Sequence, residues 1–124
     1  MIAGLGIDII DVERVAAKIS KDSGFREMVF TKKEIAYCES KADKFIHYAA
    51  RFAAKEAFFK AMGTGWASGT SFNEIEITNN DAGKPDLILL AATFKKLRSL
   101  GDYKIFVSLT HLKTIASAVV IIEN

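Results

Sequence analysis

The 124 residues suffice for one compact domain and not two. Half are hydrophobic and only one is proline, which excludes a disordered chain. A net charge of +2, from 17 basic and 15 acidic residues, excludes a generally basic nucleic-acid binder and leaves only local charged surfaces.

In chain order, residues 2–10 predict a strand, and Asp11 is placed to cap a helix carrying Val12, Val15, Ala16 and Ile19 on one side. Gly24 interrupts it, and Phe25 to Phe30 add a short helical turn. Thr31 and Glu34 have capping-box spacing and open a helix through about Ser40. A long helix runs from about Asp43 to Met62, followed by a glycine- and hydroxyl-rich loop, "GTGWASGTS", over 63–71. Strands are predicted at 74–78 and in "DLILL", separated by the turn "NNDAGKP". A helix over 91–99 and two strands, 103–110 and 114–122, complete the chain, with a tight connection near His111 to Lys113. Helices first and strands last favour an α+β fold, with helices packed on an antiparallel sheet in a single domain over 1–124.

Cys38 is the only cysteine, so no disulfide forms within the chain, as expected of a cytoplasmic protein. "MIAGLGIDII" lacks a basic leader and "IASAVVII" is far too short to span a bilayer, so a soluble protein with no membrane role is expected.

The chemistry concentrates in two places. In the first strand Gly4, Gly6, Asp8 and Ile10 share a face, so the glycines leave open space beside the carboxylate. In the long helix Phe45, Ala49, Phe52, Phe59 and Met62 form an apolar seam, and Glu56 falls in its middle. A carboxylate there needs a partner. One reading pairs it with Lys60, four residues on, or with a core arginine. The other brings Asp8 and Glu56 together around a hard cation such as magnesium, with phosphate oxygens supplying further ligands. Arg51, Lys55 and Lys60 would then gather around the carboxylates to hold a polyphosphate. The "GTG" amides at the helix end are candidates to reach phosphate oxygens, or a simple helix stop; the segment is not a Walker motif. Arg14, Lys18 and Lys21 form a basic stripe on the first helix, either a solvated face or a docking surface for an acidic partner.

Taken together, "GIDIIDVERV", "RFAAKEAFFKAMGTG", "NNDAGKP" and "SLTH" resemble the holo-[acyl-carrier-protein] synthases, members of the 4'-phosphopantetheinyl transferases, over essentially the whole chain. The resemblance implies transfer of 4'-phosphopantetheine from coenzyme A to a serine of apo acyl carrier protein, leaving adenosine 3',5'-bisphosphate, in support of fatty acid biosynthesis. It implies Asp8 and Glu56 as Mg2+ ligands, with Glu56 also the candidate base, and Lys55 and Lys60 on the pyrophosphate. It implies Arg51 and His111 near the 3'-phosphate, and Gly83 to Pro85 near the adenine. Arg14 and its stripe, with Phe25 as an apolar contact, would meet the carrier, and a homotrimer would share active sites between subunits. Thr110 stands where the family commonly has serine. A non-catalytic coenzyme A or carrier-binding module is the competing reading, disfavoured because both acidic residues are present; a nucleic-acid-binding domain is disfavoured by the charge balance.

Overall fold

In the computed structural model, residues 1–63 and 70–124 are described. The order is β1 (Ile2–Asp11), α1 (Val12–Ser20), α2 (Phe25–Val29), α3 (Lys32–Glu39) and α4 (Lys44–Met62). A 3-10 turn (Phe72–Glu74), β2 (Ile75–Asn79), β3 (Pro85–Leu89), α5 (Ala91–Leu100), β4 (Lys104–His111) and β5 (Ile115–Glu123) follow. The α+β expectation holds, but the strands form two antiparallel sheets: β1-β5-β4 and the hairpin β2-β3. The hairpin closes through the Asn80–Lys84 turn, where Asn80 Oδ1 accepts from the backbone N–H of both Ala82 and Lys84 at 2.9 Å.

Helix α4 is the hub. The sequence predicts a helix with one apolar seam; in the fold almost every residue from Tyr48 to Ala61 is buried. A helix apolar on all sides belongs inside a core rather than on its surface. One side of α4 lies on the three-stranded sheet, and the other meets α3 and β2. Phe52 packs against Phe25 and Phe72, and Phe59 meets Phe72 edge-on at 5.2 Å.

The inner face of the sheet is built from small residues where α4 crosses it. Gly4 and Gly6 on β1 stand opposite Ile122 and Val120 on β5, and Asp8 and Ile10 stand opposite Ala118 and Ala116. The space beside the glycines is not open, as the sequence suggests, but filled by the backbone of α4. A Cβ on Gly6 would sit 1.9 Å from the Ala57 carbonyl oxygen, and one on Gly4 would sit 2.1 Å from that of Ala61. The outer face alternates in the other sense. Leu5, Ile7 and Ile9 are 64%, 64% and 68% exposed, and Phe106 of β4 stands beside them across Ile121.

Two local expectations resolve differently. Thr31 and Glu34 form the full capping box, with Glu34 N–H to Thr31 Oγ1 at 3.2 Å and Thr31 N–H to Glu34 Oε1 at 3.0 Å. Asp11 makes no side-chain cap, because it still belongs to β1, and the Val12 N–H is satisfied by the Thr114 carbonyl at 2.9 Å instead.

Candidate active site

Asp8 lies near the C-terminal end of β1, on the face that α4 covers. Lys60 reaches it from α4: Nζ donates to Asp8 Oδ1 at 2.8 Å and to the Ile7 carbonyl at 3.1 Å. This overturns the Glu56–Lys60 ion pair that the i,i+4 spacing suggests. The carboxylate that needs the ammonium is Asp8, and it raises the Lys60 pKa through that hydrogen bond.

Glu56 has no hydrogen-bond or ion-pair partner among the described residues. Burial holds its carboxyl above the ordinary carboxylate range, and the negative charge of Asp8 adds to the rise. Lys60, Lys18 and Arg14 offset part of it from a distance. Asp8 is thus held by a lysine, while Glu56, close enough to feel its charge, has no direct partner among the described residues. A pair of hard oxygen donors with one of them short of positive charge is a chemical fit for a divalent cation that keeps most of its waters. Among the described residues no third histidine, cysteine or carboxylate joins them, so the donor set is two side chains.

Of Arg51, Lys55 and Lys60, only Lys60 reaches these carboxylates. Lys55 is fully buried, and its ammonium donates to Glu34 Oε1 at 2.7 Å, to the carbonyls of Val29 at 2.9 Å and Phe72 at 2.8 Å, and to that of Ile75. The position on pyrophosphate implied by the resemblance is therefore corrected. Residues 55 and 56 are about 100° apart around a helix, so Lys55 faces the α3–β2 layer while Glu56 stays near Asp8.

Arg51, one turn earlier, also faces away from the carboxylates. Its guanidinium is stacked on Tyr37, with Cζ 4.1 Å from the ring centroid, and Nη2 donates to Asn79 Oδ1 at 2.8 Å. Arg51 is 2% exposed, Nε has no hydrogen-bond partner, and no carboxylate pairs with the guanidinium among the described residues. His47 meets Tyr37 edge-on at 5.6 Å, and the His111 ring lies 6.4 Å from that of His47. Asn79 Nδ2 donates to the Gly83 carbonyl at 2.9 Å, which ties the turn leading to Pro85 to the same cluster. Arg51 is thus linked to Gly83 through Asn79 and to His111 through Tyr37 and His47. Tyr37, His47 and Asn79 are links the sequence did not disclose.

Arg14 on α1 and Lys21 at its C-cap are exposed. Lys18 leans over the rings of Phe25 and Phe52, at 5.4 and 6.0 Å from their centroids. The stripe and Phe25 therefore form one continuous surface, close enough that Arg14 and Lys18 are felt at Glu56. The "GTG" expectation falls mainly on residues 64–69, outside the described residues; Gly63 itself ends α4 in the left-handed conformation at φ 76°. Cys38 is buried and its thiol is pushed up to about 12 by burial, so it is poorly suited to be a nucleophile.

A family model described as the 4'-phosphopantetheinyl transferase superfamily matches residues 4–113. A holo-[acyl-carrier-protein] synthase of Solibacter usitatus is 43% identical over 125 aligned residues, covering 100% of both chains. The crystal structure of the Neisseria meningitidis holo-[acyl-carrier-protein] synthase superposes with a TM-score of 0.92 at 32% identity, covering 100% of each chain. That of Bacillus anthracis, in complex with CoA (3',5'-ADP), gives 0.81 at 35% identity, covering 98% of this chain and 96% of the other.

Proposed function

Since the chain belongs to the 4'-phosphopantetheinyl transferase superfamily and is a holo-[acyl-carrier-protein] synthase by its relatives, we propose that it moves 4'-phosphopantetheine from coenzyme A to a serine of apo acyl carrier protein, with Mg2+, in fatty acid biosynthesis in the cytoplasm. The observation that carries the site assignment is a partly buried Glu56 carboxylate that feels the charge of Asp8 and has no direct partner among the described residues. These two side chains would hold Mg2+, which supplies positive charge to the pyrophosphate and its leaving group. Lys60, already at Asp8, is placed to add a second cation there.

The bond that forms joins the carrier serine Oγ to the β-phosphorus of coenzyme A. The bond that breaks frees adenosine 3',5'-bisphosphate, and the serine proton passes to a carboxylate, for which Glu56 is our candidate. Such general-base help is worth roughly a hundredfold to ten-thousandfold. No covalent enzyme intermediate is required.

Arg51 supports the other end of the substrate. A buried guanidinium with no carboxylate beside it among the described residues suits an anion brought from outside. We assign it, with His111, to the 3'-phosphate, and the Gly83–Pro85 turn to the adenine. Dephospho-coenzyme A, which lacks that phosphate, should be used at least about tenfold less efficiently than coenzyme A, by analogy with a lost charge-assisted bond. In Arg51→Met the two substrates should become nearly equivalent; a preserved preference in steady-state kinetics would remove Arg51 from the assignment.

The surface of Arg14, Lys18, Lys21 and Phe25 would dock the acidic carrier. The exposed Leu5, Ile7 and Ile9 face would be covered by neighbouring copies in a homotrimer with shared sites.

The deciding experiment is a mass-spectrometric transfer assay with apo acyl carrier protein and coenzyme A, with Mg2+ or with excess chelator. A carrier heavier by one phosphopantetheine only when metal is present is expected. No mass gain with a competent carrier would replace the enzyme with a binding module.

A further inference from the structure

The ammonium of Lys55 is bound by four segments that are distant in sequence. They are the end of α2 at Val29, α3 at Glu34, the 3-10 turn at Phe72 and the start of β2 at Ile75. None belongs to the sheet that carries Asp8. Glu34 is itself fully committed: beside Lys55 it accepts from the backbone N–H of Thr31 and of Ile77, each at 3.0 Å. So the knot is closed, buried and directional, and it grips α4 one residue before Glu56.

The seat of Gly6 on Ala57 fixes how near α4 comes to β1. It bars large turns of the helix but sets small ones only loosely, because a glycine offers no side chain to key against. The Lys55 knot, on the opposite side, sets them closely. At a side-chain radius of about 6 Å, a turn of about 10° shifts a carboxylate by about 1 Å. Displacements of that size cost about a hundredfold in a preorganised site.

We propose that Lys55 is a positioning residue for the reaction, setting the rotation of α4 and hence the gap between Glu56 and Asp8, and that it touches neither coenzyme A nor metal. The inference rests on the assignment of Asp8 and Glu56 as the cation-binding pair. It also explains why a lysine costly to bury stands beside the acidic residue: each of the two neighbours faces its own layer of the fold.

The test separates binding of the ion from binding of the substrate. Lys55→Met alone strands a buried carboxylate and endangers folding, so the informative protein is Lys55→Met with Glu34→Gln, which removes both charges at nearly constant volume. It is compared with the unsubstituted protein and with Glu34→Gln, all checked for folding by circular dichroism. Mn2+ affinity is read by electron paramagnetic resonance at saturating coenzyme A, and coenzyme A affinity by calorimetry at saturating Mn2+. The expected result in the double variant is a Mn2+ dissociation constant raised about tenfold or more, as for outer partners of metal ligands, with coenzyme A affinity changed less than about twofold. Glu34→Gln should shift Mn2+ affinity in the same direction by less. A loss of coenzyme A affinity with Mn2+ affinity intact would make Lys55 a substrate ligand and overturn the proposal. A folded double variant with both affinities unchanged would overturn it too. Failure of the unsubstituted protein to bind Mn2+ would overturn the cation-site reading and this inference with it.

Discussion

Glu56→Gln should abolish transfer, by roughly a thousandfold or more given the loss of a metal ligand and a candidate base, while leaving the fold as stable as before or more so. The two effects have one cause. The Glu56 carboxylate is partly buried, feels the charge of Asp8 and has no partner among the described residues, so its proton affinity is raised in the folded chain. A carboxyl that holds its proton more tightly when folded makes stability fall as pH rises from the ordinary carboxylate range through its raised folded value. The whole of that penalty is present once the pH exceeds the raised folded value. The amide is nearly isosteric and uncharged, so it removes the penalty and flattens this part of the pH profile. Thermal unfolding between pH 4 and 8 checks the stability half, and the transfer assay checks the activity half. A Gln variant that still transfers would take Glu56 out of the chemistry. One that unfolds at lower temperature at neutral pH would mean the carboxylate is satisfied in the free enzyme. Such opposition of stability and function is expected where a site is assembled against local preference.

Gly6→Ala should be among the most damaging single-methyl changes in the chain. The added carbon would lie 1.9 Å from the Ala57 carbonyl oxygen and 2.7 Å from the Ala61 nitrogen. Both are backbone atoms of a buried helix, so no side chain can swing aside, and α4 must lift from the sheet. Overpacking ordinarily costs about 1–3 kcal/mol; with no side-chain relief the upper end or beyond is expected. The denaturant midpoint should drop accordingly, and Asp8 should lose its contact with Lys60, so activity of the folded fraction should fall as well. An unchanged midpoint would mean that α4 does not rest on β1.

How far the sequence disclosed this arrangement depends on whether the decisive contacts were local. Thr31 and Glu34 are three residues apart, so their capping box was readable from spacing. The second task of Glu34, as counter-ion to Lys55, joins residues 21 positions apart and left no periodic trace. Lys60 was placed near Glu56 because helix geometry does that within one element, but Asp8 on a different element captured it. The glycines of β1 were noticed, yet their meaning was inverted. A missing Cβ makes room, and the sequence does not say whether a ligand or a helix takes it. Glu56 was singled out because a carboxylate in an apolar seam is conspicuous even without coordinates, and Asp8 because it shares a strand face with two glycines. Arg51 was noticed for its charge and placed with the wrong neighbours; its aromatic bed of Tyr37 and its bond to Asn79 come from two other elements.

The seating of α4 on β1 also bears on how this chain can vary in length. Gly4 and Gly6 are two strand residues apart, a step of about 6.6 Å. Ala61 and Ala57, which they meet, are four helix residues apart, a step of about 6 Å. The two rulers agree only in this phase. Deleting or inserting one residue between Arg51 and Ala61 would slide part of the helix by about 1.5 Å and turn it by about 100°. Lys55 and Glu56 could not then both keep their layers, and the small-residue seats would meet bulky side chains. The Asn80–Lys84 turn has no such phase to keep, because it joins only the two strands of a hairpin. For the fold, length changes should therefore be excluded from the helix and tolerated in the turn, where they would instead disturb the Asn79–Gly83 link beside Arg51.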